Sequence, residues 1–393
     1  VSRHLWILLT FLSAAIGTDA AIAQVASTDY TIHQQFLSVR ALGMGNAFAA
    51  VVDDTSAFYY NPAALAFRKR HELKMSLGAG LDTKVLNLNK QINAAKGQPD
   101  QASQVTAVTN LLQENVGNYY SIRAPTVGGF FAWPHWEVAF IPADLSVDMS
   151  VHQCAGPCLN VNGFLDTTLA ASYGHELHWL GKDDKLAWGT TIKSVHRLWA
   201  GEEIFAADLV NGTNIFSADQ AHEGVTFDMD LGTMWAPGVA QHGFFSFLKY
   251  MKPTFAVVGH NLLNYGFKTN PRWIKGVSGS PPPLGRKMDV GSKFELPKFW
   301  IFENRIAVDE RDIGDDNWTW SKGLHTGFES YWTVANWWKG HWSVGFNQGY
   351  ISGGVGAKFG WCQFDFATYA EEVGTESVPK QSRRYMAELA LDF

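Results

Sequence analysis

The sequence is short of charge. Asp, Glu, Lys and Arg make up only 17% of its 393 residues, while Phe, Trp and Tyr make up 14%. A water-soluble domain usually carries about a quarter charged residues. An excess of positive charge is also missing: the formal net charge is −6. No basic stripe with interleaved aromatics occurs, so nucleic acid is not an expected partner. Beyond the N-terminus no run of eighteen apolar residues occurs, and the mean hydropathy is −0.10. A transmembrane helix cannot be drawn on such a chain. The closed β-barrel stays open, because it spreads its apolar residues over alternate positions. From composition alone, a large soluble β-sandwich or propeller competes with it. Cysteine is scarce as well: only Cys154, Cys158 and Cys362 are present.

The first residues bear on the compartment. Arg3 and His4 form a short polar start, Leu5 to Ile16 a mostly apolar run, and Ala21-Ile22-Ala23 a small-x-small cleavage site before Gln24. This pattern predicts an export signal peptide over residues 1–23. No Cys follows Ala23, so a lipoprotein is not expected. Export brings the cysteines into an oxidising compartment. Cys154 and Cys158 bound the tight loop Cys154-Ala155-Gly156-Pro157-Cys158 and are expected to form a disulfide. A zinc site is the weaker reading, since His152 still leaves the ligand set incomplete. No metal and no cofactor is expected.

Residues 24–70 differ from the rest, with small residues, Gly43, Gly45, an Asn-Pro turn and no clean period-two strand. From His71 the pattern changes: Leu73, Met75, Leu77, Ala79 and Leu81 alternate with Lys74, Ser76, Gly78, Gly80 and Asp82. Such alternation is a strand with one apolar face. Similar segments recur over 124–133, 136–151, 160–177, 184–199, 224–236, 252–264, 286–296, 299–311, 322–333, 340–349, 351–360, 361–371 and 382–393. With 71–84 they number about fourteen, an even number as bacterial barrels prefer. Long connections fall mostly after odd strands and short ones after even strands, as expected when both termini lie in the periplasm. Residues 237–251 break that rule. The expected fold is therefore all-β: a transmembrane antiparallel barrel over 71–393 with an N-terminal plug, or hatch, over 24–70.

Within the first long loop, Val105, Val108, Leu111, Leu112 and Val116 recur near helical spacing and predict a helix lying on the barrel mouth. The last strand places Tyr385, Ala387, Leu389, Leu391 and Phe393 on one face, opposite Arg384, Glu388 and Asp392. Lipid outside and a polar lumen inside explain that alternation. An aromatic end on the lipid face, built from Tyr385, Leu389, Leu391 and Phe393, resembles the signal that barrel-assembly machinery reads. Trp133, Trp136, Trp332, Trp337, Trp338 and Trp361 cluster near strand ends, where interfacial girdles form.

The most specific stretch runs from Arg40 to Leu65. Gly43, Gly45, Ala47 and Phe48 make a Gly-x-Gly-x-Ala-Phe run, followed by the acidic pair Asp53-Asp54 and the turn Asn61-Pro62-Ala63. Together they resemble the N-terminal signature of the FadL-type long-chain fatty-acid transporter superfamily, including its PorV-like branch. Ala64 departs from the Gly that many members carry there. The segments Gly345–Tyr350, Ala367–Glu372 and Arg383–Tyr385 are also similar, so the resemblance covers both ends of the chain. It implies a fourteen-stranded barrel with an internal hatch, and hydrophobic ligands that enter from outside and leave laterally through a wall gap. In physical terms, the glycines allow sharp turns and close approach to the wall. Asp53 and Asp54 either cap a helix or pair with a lumenal Arg. Asn61 before Pro62 sets a turn. Phe48, Phe58, Tyr59 and Tyr60 either line a ligand path or fill the plug core. A plug that only fills the lumen is the bland alternative.

An enzyme is not expected. His175, His178, His196 and His260 are scattered and no nucleophile elbow is present. The histidines are expected to be mostly solvated or interfacial. The acidic run Asp309, Glu310, Asp312, Asp315 and Asp316 lacks calcium-loop spacing and is expected to be a solvated face. Two functions remain: an outer-membrane channel for uptake of small hydrophobic, fatty-acid-like molecules, or a PorV-like accessory barrel that docks exported proteins or a secretion complex. The first takes a hydrophobic small-molecule ligand and the second a protein partner; both sit in the lipid bilayer.

Overall fold

The computed structural model describes residues 30–178, 184–212, 221–238, 248–274, 276–277, 279–335 and 337–393. The predicted signal peptide lies outside the described residues. Fourteen strands form one closed antiparallel barrel. They are β1 (Glu72–Leu81), β2 (Tyr119–Trp133), β3 (Trp136–Gln153), β4 (Pro157–Leu177), β5 (Lys185–Phe205), β6 (Ala221–Ala236) and β7 (Thr254–His260). Then follow β8 (Lys287–Glu295), β9 (Phe302–Ile313), β10 (Leu324–Ala335), β11 (Trp338–Asn347), β12 (Tyr350–Phe359), β13 (Cys362–Glu372) and β14 (Gln381–Asp392). Each strand pairs with its sequence neighbours, and β1 closes the ring on β14 from Lys74↔Asp392 to Leu81↔Tyr385. Closure leaves no strand edge to be desolvated in lipid.

Alternation assigns the two faces. On β1, Leu73, Met75 and Leu77 point outward, and on β14 so do Tyr385, Leu389, Leu391 and Phe393, all of them exposed. Their neighbours Ser76, Arg384, Met386, Ala390 and Asp392 are buried in the lumen. The exposed apolar belt continues through Phe140, Leu169, Ile192, Phe227, Val257, Val308, Trp342 and Val355. A charge-poor outer belt around a charge-rich lumen is the polarity of a bacterial outer-membrane barrel, and the chain is one. Trp136, Trp337, Trp338 and Trp361 stand exposed at the short-turn, periplasmic end and form its aromatic girdle.

The long connections gather at the opposite, outer end. The first carries two helices, α3 (Lys84–Ala95) and α4 (Gln101–Glu114). Only the second was signalled by the valine and leucine spacing, and the strand expected to reach residue 84 stops at Leu81 because α3 begins there. Val108 and Leu112 pack with Leu88, Tyr120, Val151, Leu159 and Ile204, together with Leu209 on α5 (Ala206–Asn211). These helices roof the tall side of the barrel, where β3, β4 and β5 are longest. Strand β7 is short, ending at His260 rather than 264. In its place residues 261–269 run along the outer half of β6, with Leu262 N–H donating to Met229 O and Val225 N–H to Thr269 O. The long periplasmic connection after β6 contains the short helix α6 (Leu248–Met251). Ladder shifts at Arg123/Thr126 and Ile141/Asp144 mark Pro125 and Pro142, where neither residue has an N–H for the ladder.

Candidate functional site: the plug and its two cavities

The plug descends through the lumen from the outer end to the periplasmic end. Its first described residues are held at the outer end: Lys322 Nζ donates to Tyr30 O at 2.6 Å and Asn317 Nδ2 to Thr31 O at 3.1 Å. Extended chain follows to Ser38. Then come α1 (Val39–Gly43), α2 (Ala57–Tyr60) and a 3-10 helix (Pro62–Phe67) that delivers the chain to β1.

The motif residues set how this segment meets the wall. Gly43 and Gly45 lie backbone-to-backbone on β10–β12. A Cβ on Gly43 would stand 2.8 Å from Gly354 Cα, and one on Gly45 would stand 2.5 Å from Phe346 O. Gly45 also has φ +66, which only glycine adopts without strain. The wall answers with its own glycines: a Cβ on Gly345 would be 2.7 Å from Gly45 N, and one on Gly327 would be 2.9 Å from Met44 C. On the far side of the barrel, the Asn61-Pro62-Ala63 turn meets β4–β6 in the same way. A Cβ on Gly174 would be 2.6 Å from Pro62 O, one on Gly189 2.5 Å from Ala63 N, and one on Gly232 3.0 Å from Pro62 Cδ. Asn61 is wholly buried; it caps the 3-10 helix by accepting from Ala63 N–H and donates to Ala49 O at 3.0 Å and Thr233 O at 3.2 Å. The plug is thus a strut from wall to wall.

The remaining contacts are ionic. Arg40 donates to Glu329 at 2.8 Å, to Asp53 at 2.8 Å and to Asp54 at 3.0 Å, and Arg305 donates to Asp53 at 2.9 Å and to Glu329 at 2.6 Å. Asp54 also accepts from Ser56 N–H and Oγ–H. Asp53 lies inside the barrel but is 54% exposed to the inner cavity, and Arg305 and Arg40 outweigh its partial desolvation and hold this carboxyl below the usual carboxylate range. Toward the outer end, Arg311 donates to Asp289 at 2.9 Å and to Asn46 O at 3.2 Å. Arg197 forks onto Asp166 at 2.8 and 2.7 Å, and Lys193 reaches Asp230 at 2.8 Å.

Several expectations are corrected here. The run Asp309–Asp316 is not a solvated face. Asp309 and Asp312 are buried in the lumen, where Asp309 accepts Ala49 N–H at 2.7 Å and Asp312 accepts from Gln34 at 2.7 Å. Inward alternation on β9 carries Asp309 there, whereas Asp312, of opposite parity, is turned inward where its φ of +56 breaks the strand geometry. Most described histidines are partly or fully exposed as expected, but three depart: His260, His325 and His341 are buried, and His260 stands between Asp230 and Asp289. Of the four plug aromatics, Phe48, Phe58 and Tyr60 are packed in the plug core, while Tyr59 borders a cavity. Phe36 joins them, meeting Phe58, Tyr59 and Phe130 at 5.1, 5.7 and 6.1 Å between ring centroids, although no motif in the sequence singles it out. Cys154 and Cys158 are joined by a disulfide in the outer β3–β4 connection, and Cys362 is free and exposed.

Two cavities border the plug. The inner one, about 880 Å³, opens at the periplasmic end and is bounded by Phe36, Arg40, Asp53, Lys74, Arg305 and His341 among others. The outer one, about 110 Å³, lies between plug residues His33, Gln35 and Tyr59, wall residues Phe164, Arg197, His260 and Arg311, and the strap Pro282–Gly285. Phe36 borders the first and Tyr59 the second, and their rings touch edge to face.

No family model and no curated protein matches the sequence. Solved structures do resemble this one. The Ralstonia pickettii toluene transporter TbuX shares 10% identity at a TM-score of 0.47, covering 91% of this chain and 98% of that one. A deltaS2S3 mutant of the monoaromatic hydrocarbon channel TodX shares 9% at 0.45, covering 91% and 98%. A Pseudomonas aeruginosa FadL homologue shares 9% at 0.41, covering 90% and 97%. Each of these likenesses runs over nearly the whole length of both chains, at low identity.

Proposed function

We propose that the chain is an outer-membrane channel for small hydrophobic molecules, with the plug as its gate. One observation carries this reading: the outer and inner cavities are parted at the plug by the Phe36–Tyr59 aromatic contact. Phe36 lies on the extended segment before α1, which is free of helix and of strand pairing. A shift of that segment therefore joins the cavities without breaking the wall. The glycine docks at Gly43/Gly45 and at Asn61-Pro62 hold the rest of the plug still while it moves. An outer cavity of about 110 Å³ is too small for a long acyl chain, which favours compact ligands over fatty acids. The test is uptake in a host lacking its own transporter, with compact aromatics and long-chain fatty acids compared. If the wild-type chain, folded in the membrane, restores uptake of neither, the channel reading is wrong.

The accessory-barrel reading has its own support. The plug core is wholly buried around Phe48, Ala49 and Ala63, and helices α3, α4 and α5 pack into one cluster at the outer end. Co-purification of a surface or secretion protein that is lost on replacing residues 84–114 would favour it.

A further inference from the structure

One outer loop straddles the rim of the barrel. Strand β6 pairs with β7 only from Leu231 to Trp235, and residues 261–269 lie along its remaining edge. The chain then passes to the outside of the wall. Trp273 packs against the His196 ring at 4.6 Å between centroids, and Ile274 N–H donates to Glu223 Oε2 at 3.4 Å. His196 alternates with the lumenal Val195 and Arg197, and Glu223 lies opposite Leu198, so both point outward. The loop returns inside, where Arg197 Nη1 donates to Pro282 O at 3.1 Å and Leu284 packs with Val195 and Phe267. The outward arm is thus fixed at both ends.

The arm stands at the outer margin of the membrane. A tilted strand crosses the hydrocarbon layer in about 9–11 residues. Leu186 on β5 faces Trp235 on β6 near the periplasmic end. Counted from there, the span carries Ile192, Phe227 and Leu231, all exposed, and ends at the facing pair His196 and Val225. Trp273 rests on His196, at the level of the head groups, where tryptophan concentrates. It is 70% exposed, and Tyr265 on the same loop is 56% exposed. Glu223, beneath the arm, is wholly buried and engaged with His196 Nε2 at 3.0 Å.

The charge of the loop has one sign. Residues 261–288 hold Lys268, Arg272, Lys275, Arg286 and Lys287 and no Asp or Glu. Lys287 turns inward and is matched by Asp312 and Asp315 at 3.3 and 2.9 Å. Lys268, Arg272 and Arg286 are exposed, and among the described residues none of the three has an acidic partner. We propose that the outward arm docks anionic, phosphate-bearing lipids of the outer leaflet. Arg272, next to the interfacial Trp273, meets a phosphate with its guanidinium fork. Lys268 adds to the attraction, which sums over cations near an anionic surface and needs no shared atom. The acyl chains run down the wall over Ile192 and Phe227. The site is independent of whether the lumen conducts.

The test uses the full-length barrel in neutral detergent micelles carrying a fluorescent phosphatidylglycerol. Competitors are phosphatidylglycerol, phosphatidylcholine with the same acyl chains, and glycerol phosphate. Each cation near an anionic surface contributes about fivefold. Phosphatidylglycerol should therefore bind at least about tenfold tighter than phosphatidylcholine, and less so at high salt. Lys268→Gln combined with Arg272→Gln should bring the two lipids to within about twofold. Lys84→Gln combined with Lys90→Gln, the same charge removed from α3, should keep the full preference. Heat-modifiable mobility confirms that each variant is folded. Equal binding of the two lipids to the wild type overturns the proposal, as does a preference that survives the Lys268/Arg272 double variant. A preference lost equally in the α3 variant places it in net charge and also overturns the site. Displacement by glycerol phosphate as good as by phosphatidylglycerol makes it a soluble-anion site instead. A wild type that sediments as a dimer and a double variant that sediments as a monomer assign the arm to a second copy.

Discussion

Replacing Phe36 by Ala should open the barrel without unfolding it. Phe36 is 6% exposed and touches three aromatic rings, Phe58, Tyr59 and Phe130. Truncating a buried Phe to Ala costs about 3–5 kcal/mol through lost burial and the void left behind. That cost falls on the plug, because thirteen hairpin pairings and the β1–β14 closure do not involve Phe36. At about 1.4 kcal/mol per tenfold, the population with residues 31–38 displaced should rise by two orders of magnitude or more. The void also lies where the two cavities meet, so the shape of the barrier changes together with its stability. The assay is single-channel conductance in planar bilayers, alongside uptake by whole cells. Wild type should be closed or flicker briefly; Phe36→Ala should show long open intervals; Phe36→Leu, which keeps most of the volume, should lie between them. Should Phe36→Ala fold normally yet conduct and take up solute as the wild type does, the Phe36–Tyr59 contact is not the barrier, and the gate reasoning falls.

Gly45→Val should strain the plug where φ is +66 and drive a branched side chain into the β10–β11 backbone, loosening the dock by about 2–5 kcal/mol; greater protease access to the plug with unchanged barrel mobility is the readout. Asp53→Asn should weaken the Arg40–Arg305 bridge. In the wild type the bridge's stabilisation should persist above about pH 4 and fade as pH falls below it, since the folded carboxyl lies below its unfolded value; resistance of the plug to an acid protease that is the same at pH 4 and pH 2 speaks against it. Deleting residues 382–393 should abolish folded barrel, because β1 and β13 would each lose one of two partners and present an open edge; normal heat-modifiable yield would contradict the closure. Cys154 and Cys158 should resist thiol reagents on intact cells until reduced, whereas immediate labelling of both would count against the bond.

Much of this protein is written in its sequence. Alternation is a local property of a strand in lipid: every second side chain must be apolar whatever its neighbours are, so Leu73-Met75-Leu77 and Tyr385-Leu389-Leu391-Phe393 announce their outward face from the residues alone. Strand number and the alternation of long and short connections follow from the same local rule, as does helix α4 from its own period. What tertiary structure decided is the traffic between segments far apart in the chain. Gly174, Gly189, Gly232, Gly327, Gly345 and Gly354 look like ordinary strand glycines until the plug backbone is laid against them. Asp309 and Asp312 read as a solvated run, because an acidic residue facing a polar lumen and one facing water look alike in sequence, and the backbone break at Asp312 carries no sequence signal. Helix α3 carries too weak an apolar stripe to stand out, with Leu88 its one buried residue. Phe36 sits in no motif; its surroundings arise only when the N-terminal segment folds Phe58 and Tyr59 against it and lies in the ring beside Phe130. A lumen is made by closure, and what lines it is set by which distant residues closure brings face to face.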